Sequence, residues 1–368
     1  MDFNDIFNRE QVNIDLHKNL EYIKNKRILV TGAGGTIGGE LSRQMLYGGA
    51  QRLYIFDHAE NALVSIYREL NKIMKRKGIN VEIVPILGEL QDRNYIFHLI
   101  KRLHVDVIFH AAAHKHVIMG EENPVEIIKN NVFGTKYIVE AAKHYDISKF
   151  IFISTDKAVE PVCVYGVSKK LGEEIVLNAG RGNKNFLVVR FGNVFASNGS
   201  IFNVFKEQIE NNEPLTITDK RAKRFFMSLH EAVSLVLKIG KIGFGNELYV
   251  LEMGEQINIF DIAQKLLSYY NKPDTYPIEI IGLGQGEKLE EKLWDEKTEE
   301  PSATEHEKII RIKKLEKMEN IDKILIPLYE YCFYDQQKKA LFRGKKLLRE
   351  FLHIYFPTLR TYDDEDFY

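Results

Sequence analysis

Six short apolar runs recur along the first half of the chain, and between them apolar positions fall three and four residues apart. The runs are Arg27-Ile-Leu-Val-Thr31, Arg52-Leu-Tyr-Ile-Phe56, Val81-Glu-Ile-Val84, Val105-Asp-Val-Ile-Phe109, Lys149-Phe-Ile-Phe-Ile-Ser154 and Phe186-Leu-Val-Val-Arg190. Their nearly continuous hydrophobicity predicts strands buried on both faces, while the segments between them carry the helical period. Strand and helix in alternation predict an α/β fold, a Rossmann-like doubly wound parallel sheet over residues 27–193. After about Asn193 the pattern loosens. Short strands are expected at Leu215–Thr218 and Glu247–Leu251, with helices near Glu231–Ile239 and Ile259–Tyr270. This predicts a smaller α+β domain over 194–310, laid on the carboxyl edge of the sheet, with some segments returning to it. Two amphipathic stretches between Asp322 and Phe356 predict a C-terminal helical extension over 311–368, whose acidic end, Tyr362-Asp-Asp-Glu-Asp-Phe-Tyr368, reads as a frayed tail.

Composition limits the picture further. The 368 residues, 45% of them hydrophobic, can bury a full core, and at roughly 150 residues per domain they suggest two compact units. A net charge of −1 offers no track for nucleic acid, and Lys72–Lys77 reads as a solvated helix face. The only cysteines, Cys163 and Cys332, have no paired spacing, which suits a reducing compartment. The leader, residues 1–26, is polar and holds no apolar run long enough for a signal or a membrane span. A soluble, cytoplasmic protein with no membrane partner is expected.

The first strand runs into Gly32-Ala-Gly-Gly35-Thr-Ile-Gly38. Between a strand and a helix this pattern predicts a dinucleotide loop: Gly32 permits the turn, Gly35 the approach of a pyrophosphate, Gly38 close helix packing, and the amides around Thr36 and Ile37 face the phosphates. Asp57, at the end of the second run, would accept bonds from the adenosine ribose and repel a 2′-phosphate. That favours NAD over NADP. Arg43 and Arg52 leave NADP as the alternative, and Asp57 could instead cap the next helix. Glu89 and Leu90 are placed near the adenine, and Ala111, Ala112 and Ala113 where a cofactor backbone passes, unless they only pack.

Further along, Ser154-Thr155-Asp156-Lys157 closes the fifth run, with Tyr165 and Lys169 one helical turn apart behind it. Thr155, Asp156 and Lys157 fall at a strand's carboxyl end, where open α/β sheets bind their ligands. A fixed ammonium at Lys169 is expected to lower the Tyr165 phenol from its ordinary ~10 and make it a general base. His110, His114 and His116 resemble a metal cluster, but no carboxylate or cysteine completes one, so no metal is expected. Lys115 is placed beside cofactor or substrate. Trp294 and the aromatic run Tyr329–Tyr334 read as core or subunit contacts.

Taken together these motifs resemble the nucleotide-sugar 4,6-dehydratases of the extended short-chain dehydrogenase/reductase superfamily, and among them the UDP-N-acetylglucosamine 4,6-dehydratases of bacterial polysaccharide and glycan biosynthesis. The resemblance rests on Val30-Thr-Gly-Ala-Gly-Gly-Thr-Ile-Gly-Gly-Glu-Leu41, His110-Ala-Ala-Ala-His-Lys-His-Val117, Glu121-Glu-Asn-Pro124, Asn131-Val-Phe-Gly-Thr135, Ser154-Thr-Asp-Lys-Ala-Val159, Arg190-Phe-Gly-Asn-Val194, Arg224-Phe-Phe-Met227 and Gly286-Glu-Lys288. The leader segment Asn8–Asp15 and the late Thr304–Ile309 also look like family segments. The resemblance implies an NAD-binding domain at 27–193, a substrate-binding domain at 194–310, a nucleotide-sugar substrate and a homo-oligomer. It implies that Tyr165 serves oxidation at C4 of the hexose, Thr155 bonds the C4 oxygen, Lys157 removes the C5 proton as a neutral amine, and Asp156 protonates the departing C6 hydroxyl. Ser154, Asn131 and Lys169 would join the cofactor site; Lys115, Asn193, Lys206, Arg224, Glu287 and Lys288 would hold the substrate. The alternative is a 4-epimerase or 4-ketoreductase using the same cofactor, which needs no Asp156-Lys157 pair. Some features depart from the family. Its membrane-bound branch carries transmembrane helices and Met in place of Tyr165, whereas its soluble, C5-inverting branch lacks His114, so the outcome at C5 stays open. The usual Gly-Leu-Arg-Pro-Gly-Glu-Lys is here Gly282-Leu-Gly-Gln-Gly-Glu-Lys288, which removes one arginine partner for a diphosphate.

Overall fold

The computed structural model describes residues 3–7, 19–179, 184–316, 318, 320–337 and 339–362. Six parallel strands form the centre: β1 (Arg27–Thr31), β2 (Arg52–Asp57), β3 (Glu82–Leu87), β4 (Val107–His110), β5 (Lys149–Ile153) and β6 (Asn185–Arg190). Their order, 3-2-1-4-5-6, reverses between β1 and β4. Thr31 of β1 pairs with both Phe56 and His110, and His110 pairs with Phe152. The carboxyl ends are therefore level, and Gly32, Asp57, Ala111 and Ser154 leave one edge of the sheet at the reversal, where such folds bind their ligands.

β3 continues through Pro85 to Leu87, beyond the run expected to stop at Val84. It is an edge strand paired with β2 alone, and an edge tolerates a residue without an N–H. Leu248–Leu251, expected within the smaller domain, instead lies parallel to β6 in the main sheet. A hairpin of Glu299–Ala303 and Ile309–Lys314 extends that side in antiparallel fashion. The helical extension expected from residue 311 thus begins inside a strand, and its helices are Asp322–Cys332 and Lys345–Tyr355.

A second core sits over the sheet's edge. Phe202, Phe205 and Ile209 of helix Ile201–Glu210 pack with Leu215, Ile217, Phe226, Ile262 and Leu266. Phe3 and Phe7, from the short helix Phe3–Phe7, enter this core, and the Phe7 ring stacks 5.4 Å from Phe226. The start of the leader is therefore part of the smaller lobe, while the family-like segment Asn8–Asp15 and the acidic tail beyond Tyr362 lie outside the described residues. Among the described residues no helix is long and apolar enough to cross a membrane.

Candidate active site

The glycine loop after β1 needs glycine at two points. Gly32 has φ +68°, and a Cβ there would lie 2.7 Å from the backbone of Ala112; a Cβ on Gly38 would lie 2.1 Å from Gly32 O. Helix Thr36–Tyr47 starts at Gly35 without a side-chain cap, so its first amides face the groove. Asp57 is held from both sides, accepting Gly34 N–H at 2.8 Å on one oxygen and Ala59 N–H at 2.9 Å on the other. Arg43 is engaged by Glu40 and Glu69, and Arg52 by Glu82, so the two arginines that left NADP open are committed to carboxylates. Asp57, Gly88, Glu89, Leu90 and Ala111–Ala113 line a cavity of about 230 Å³. The loop and this cavity fit a dinucleotide: a Cβ would fill the turn, and the acidic group stands where a ribose would lie.

His110 bridges Thr31 Oγ1 at 2.7 Å and Thr135 Oγ1 at 2.9 Å beneath the loop. Burial, aided by the Lys169 charge, pushes its imidazole down to about 3, so it is a neutral strut. His114 stands edge-on to His58, and His116 lies under Gly199. Asn131, in a π-helical turn at Lys129–Gly134, accepts His114 N–H and donates to His114 O, both at 2.9 Å, and donates to Ser168 Oγ at 3.0 Å. It shapes the segment carrying Lys115 rather than lining either cavity. Lys115 Nζ donates to Asn198 O at 2.6 Å, and Asn198 N–H donates to Thr36 Oγ1 at 3.1 Å, a bridge across the groove.

A larger cavity of about 890 Å³ opens between the lobes and receives Thr36, Ile37, Lys115, Ser154, Thr155, Lys157, Tyr165, Lys169, Asn193, Arg224 and Glu287. Asp156 begins a short turn after β5 and is fully buried. Its Oδ1 accepts Thr155 Oγ1 and Lys157 Nζ, each at 3.0 Å; Oδ2 has no hydrogen-bond partner among the described residues. Oδ2 lies beneath Gly192, where a Cβ would be 2.8 Å away, and Gly192 lines the cavity. Lys157 Nζ also faces Asn193 Oδ1 at 3.4 Å and Glu291 Oε1 at 3.6 Å. Burial raises the Asp156 carboxyl against the pull of Lys157, and Glu291 adds to the rise. Burial alone would lower Lys157, yet Asp156 and Glu291 together hold it above the ordinary lysine range. As an ion pair, ammonium and carboxylate, the two are joined by a charge-assisted bond. Moving one proton along the 3.0 Å bond converts the pair to amine and acid without changing net charge.

Tyr165 and Lys169 share the cavity wall, but the electrostatics reverse the expectation. Burial pushes the Tyr165 phenol up to about 12, and the cation opposing this is Lys157. Lys169 Nζ is turned to Ile153 O at 2.6 Å and over the Phe152 ring at 4.0 Å, and burial brings it down to about 7 despite Glu173. Lys169 Nζ thus faces a main-chain carbonyl, and Lys157 rather than Lys169 is the cation acting on the phenol.

Below the site, Ser154 Oγ donates to Glu173 at 2.6 Å, and the buried Arg190 forks between Glu173 and Glu299 at 2.7–3.1 Å. Removing one partner from a buried ion network leaves uncompensated charge. Arg190→Met is expected to cost about 3–5 kcal/mol in a urea unfolding titration; a loss under about 1 kcal/mol would show that the carboxylates find other partners.

Arg224 Nη1 is anchored by Lys223 O at 2.8 Å and Leu289 O at 3.1 Å. Glu287 lines the cavity, whereas Lys288 stands behind it, donating to Val159 O at 2.7 Å and pairing with Glu291 at 3.3 Å. Lys206 is not brought in. Its helix turns Phe202, Phe205 and Ile209 inward, which leaves Lys206 exposed beside Glu210. Glu291, buried against Lys157, was not singled out from the sequence; its only signal is its place three residues after Lys288 in the Glu287–Glu291 charged run. The Ser197–Ser200 and Thr216–Thr218 walls carried no motif either.

Residues 28–314 match the family model described as polysaccharide biosynthesis protein. The capsular polysaccharide biosynthesis protein CapD of Staphylococcus aureus is 40% identical over 312 residues, 84% of this chain and 51% of that protein. A UDP-glucose 4-epimerase of Rickettsia bellii is 34% identical over 273 residues, 73% of this chain and 77% of that one. A UDP-N-acetylglucosamine 4,6-dehydratase (inverting) of Campylobacter jejuni is 32% identical over 273 residues, 72% of this chain and 76% of that one. The chain spans about half the length of the first curated relatives it matches.

Proposed function

Because the chain belongs to the polysaccharide biosynthesis protein family, we propose that it is a nucleotide-sugar 4,6-dehydratase, with NAD as resident cofactor and a UDP-N-acetylglucosamine type of substrate. The observation that carries this reading is the buried Asp156-Lys157 pair at the end of β5, opposite Tyr165 in the larger cavity. Bound in the groove at Gly32–Gly38 with its ribose at Asp57, NAD would supply a reversible hydride acceptor. Having given up its own phenol proton to solvent, a loss that the facing Lys157 charge favours, Tyr165 takes the proton of the C4 hydroxyl while Thr155 bonds the same oxygen. The C4 ketone makes the C5 proton acidic. Lys157, having passed its proton to Asp156, removes the C5 proton, and Asp156 protonates the C6 hydroxyl, which leaves as water; return of the hydride to C6 and of the Lys157 proton to C5 would then give the 4-keto-6-deoxy sugar with the cofactor restored. Burial raises the Asp156 carboxyl toward its neutral form, which favours its taking the proton along the 3.0 Å bond. Arg224, a cation on the cavity wall, would pair with the diphosphate, and Asn193 and Glu287 would contact the sugar.

A 4-epimerase is the second reading, favoured by the similarity to the Rickettsia protein. It would use the same groove and Tyr165 but has no work for Asp156 and Lys157. Mass spectrometry of products from a panel of UDP- and dTDP-linked hexoses separates the two. The expected product from a UDP-linked N-acetylhexosamine is lighter by one water, with no net consumption of NAD. A product of unchanged mass would establish the epimerase instead.

A further inference from the structure

Helix Lys345–Tyr355 and the segment to Tyr362 lie outside the residues matched by the family, yet they grip the site from behind. Arg349 is 1% exposed, and its guanidinium donates to both the side chain and the main-chain oxygen of Glu121. The other Glu121 oxygen accepts Val164 N–H at 2.8 Å. Val164 opens the helix that carries Tyr165 and Lys169, so a carboxylate supplied from outside satisfies one of its orphan amides. A buried carboxylate in that role needs a cation, and Arg349 is that cation. Three more contacts follow along the segment. Thr358 Oγ1 donates to Pro161 O at 2.9 Å, Arg360 N–H donates to Val162 O at 3.3 Å, and Tyr362 OH accepts Gly286 N–H at 2.8 Å.

Pro161–Val164 lies on the stretch of chain that joins Asp156-Lys157 to Tyr165, and Gly286 precedes Glu287, which lines the cavity. We infer that the C-terminal segment Lys345–Tyr362 is a positioning clamp for the reaction: Arg349, acting through Glu121, sets the start of the Tyr165 helix, and Thr358, Arg360 and Tyr362 hold the two loops that flank the sugar. None of these residues touches the cavity. They act on the distance between the C4 proton acceptor and the C5–C6 pair, and small displacements there cost rate steeply. The inference rests on the proposed dehydration.

Arg349→Met would strand the buried Glu121 charge and could unfold the chain, so the informative protein is the full chain carrying Thr358→Val and Tyr362→Phe. Its kcat per folded molecule should fall about ten-fold, short of the ~10²-fold of a 1 Å misplacement, while KM for the sugar nucleotide and NAD affinity stay within about two-fold. Amide hydrogen exchange should quicken across residues 161–166 and around Gly286. A lower melting temperature with kcat unchanged would overturn the inference, as would affinities that fall in step with kcat. If the wild-type chain dehydrates no sugar nucleotide, the functional reading fails separately. Exchange then decides the clamp: unchanged protection at 161–166 in the variant overturns it, and quickened exchange confined to those loops sustains it.

Discussion

Lys157→Met and Asp156→Asn are each expected to give a protein that oxidises its substrate at C4 and stops there. Tyr165 and Thr155 stay on the cavity wall in both variants, with C4 oxidation slower in Lys157→Met because the charge opposing burial of the phenol is lost, whereas elimination across C5 and C6 needs a base and an acid at one place. Mixing either variant with the sugar nucleotide in a single turnover should raise the absorbance of reduced nicotinamide, and no product lighter by one water should form. Both variants should fold. Asp156 is already pushed toward its neutral form by burial, and Glu291 keeps Lys288 at 3.3 Å when Lys157 is gone. Since the two groups share one proton along a 3.0 Å bond, the double variant should be scarcely slower than either single one. A variant that still makes the 4-keto-6-deoxy product at near wild-type rate would remove that residue from the mechanism.

Tyr165→Phe is expected to lower turnover by ~10²–10⁴, the range for loss of a general acid–base group, with NAD binding unaltered. It should differ in kind from the previous pair, because no reduced nicotinamide should build up when the first proton transfer is missing. The phenol is 8% exposed, and its burial raises it to about 12, so losing the hydroxyl removes a neutral polar group without creating a charge. Isothermal titration with NAD and a single-turnover trace measure the two halves of this expectation. Full activity in Tyr165→Phe would pass the base to another group on the cavity wall.

Local pattern made the parallel sheet legible, because a strand buried on both faces announces itself in four or five consecutive residues. The glycine loop was legible for the same reason: steric demands at Gly32 and Gly38 are written within seven residues. Partners distant in sequence were not. Glu299 belongs to a strand reading Glu-Glu-Pro-Ser-Ala, which has no β signature, and its burial is decided by Arg190, 109 positions earlier. Glu291 could be found only by knowing where Lys157 comes to rest. The direction of the Lys169 side chain was invisible too, since spacing placed it beside Tyr165 but the free carbonyl of Ile153 claimed its ammonium. Lys206 failed for the opposite reason: its charge suggested a phosphate, and the three apolar residues around it on the helix turned it to solvent.

The bridge from Lys115 through Asn198 to Thr36 bears on how the protein would spend its time between turnovers. Asn198 of the Ser197–Ser200 loop is fastened at its carbonyl to Lys115 and at its amide to Thr36, so the loop crosses the groove beside the first turn of the helix that follows the glycine loop. On the proposed reading the hydride returns to the same sugar, so the cofactor need not be exchanged, and this strap would hold the dinucleotide in place between turnovers.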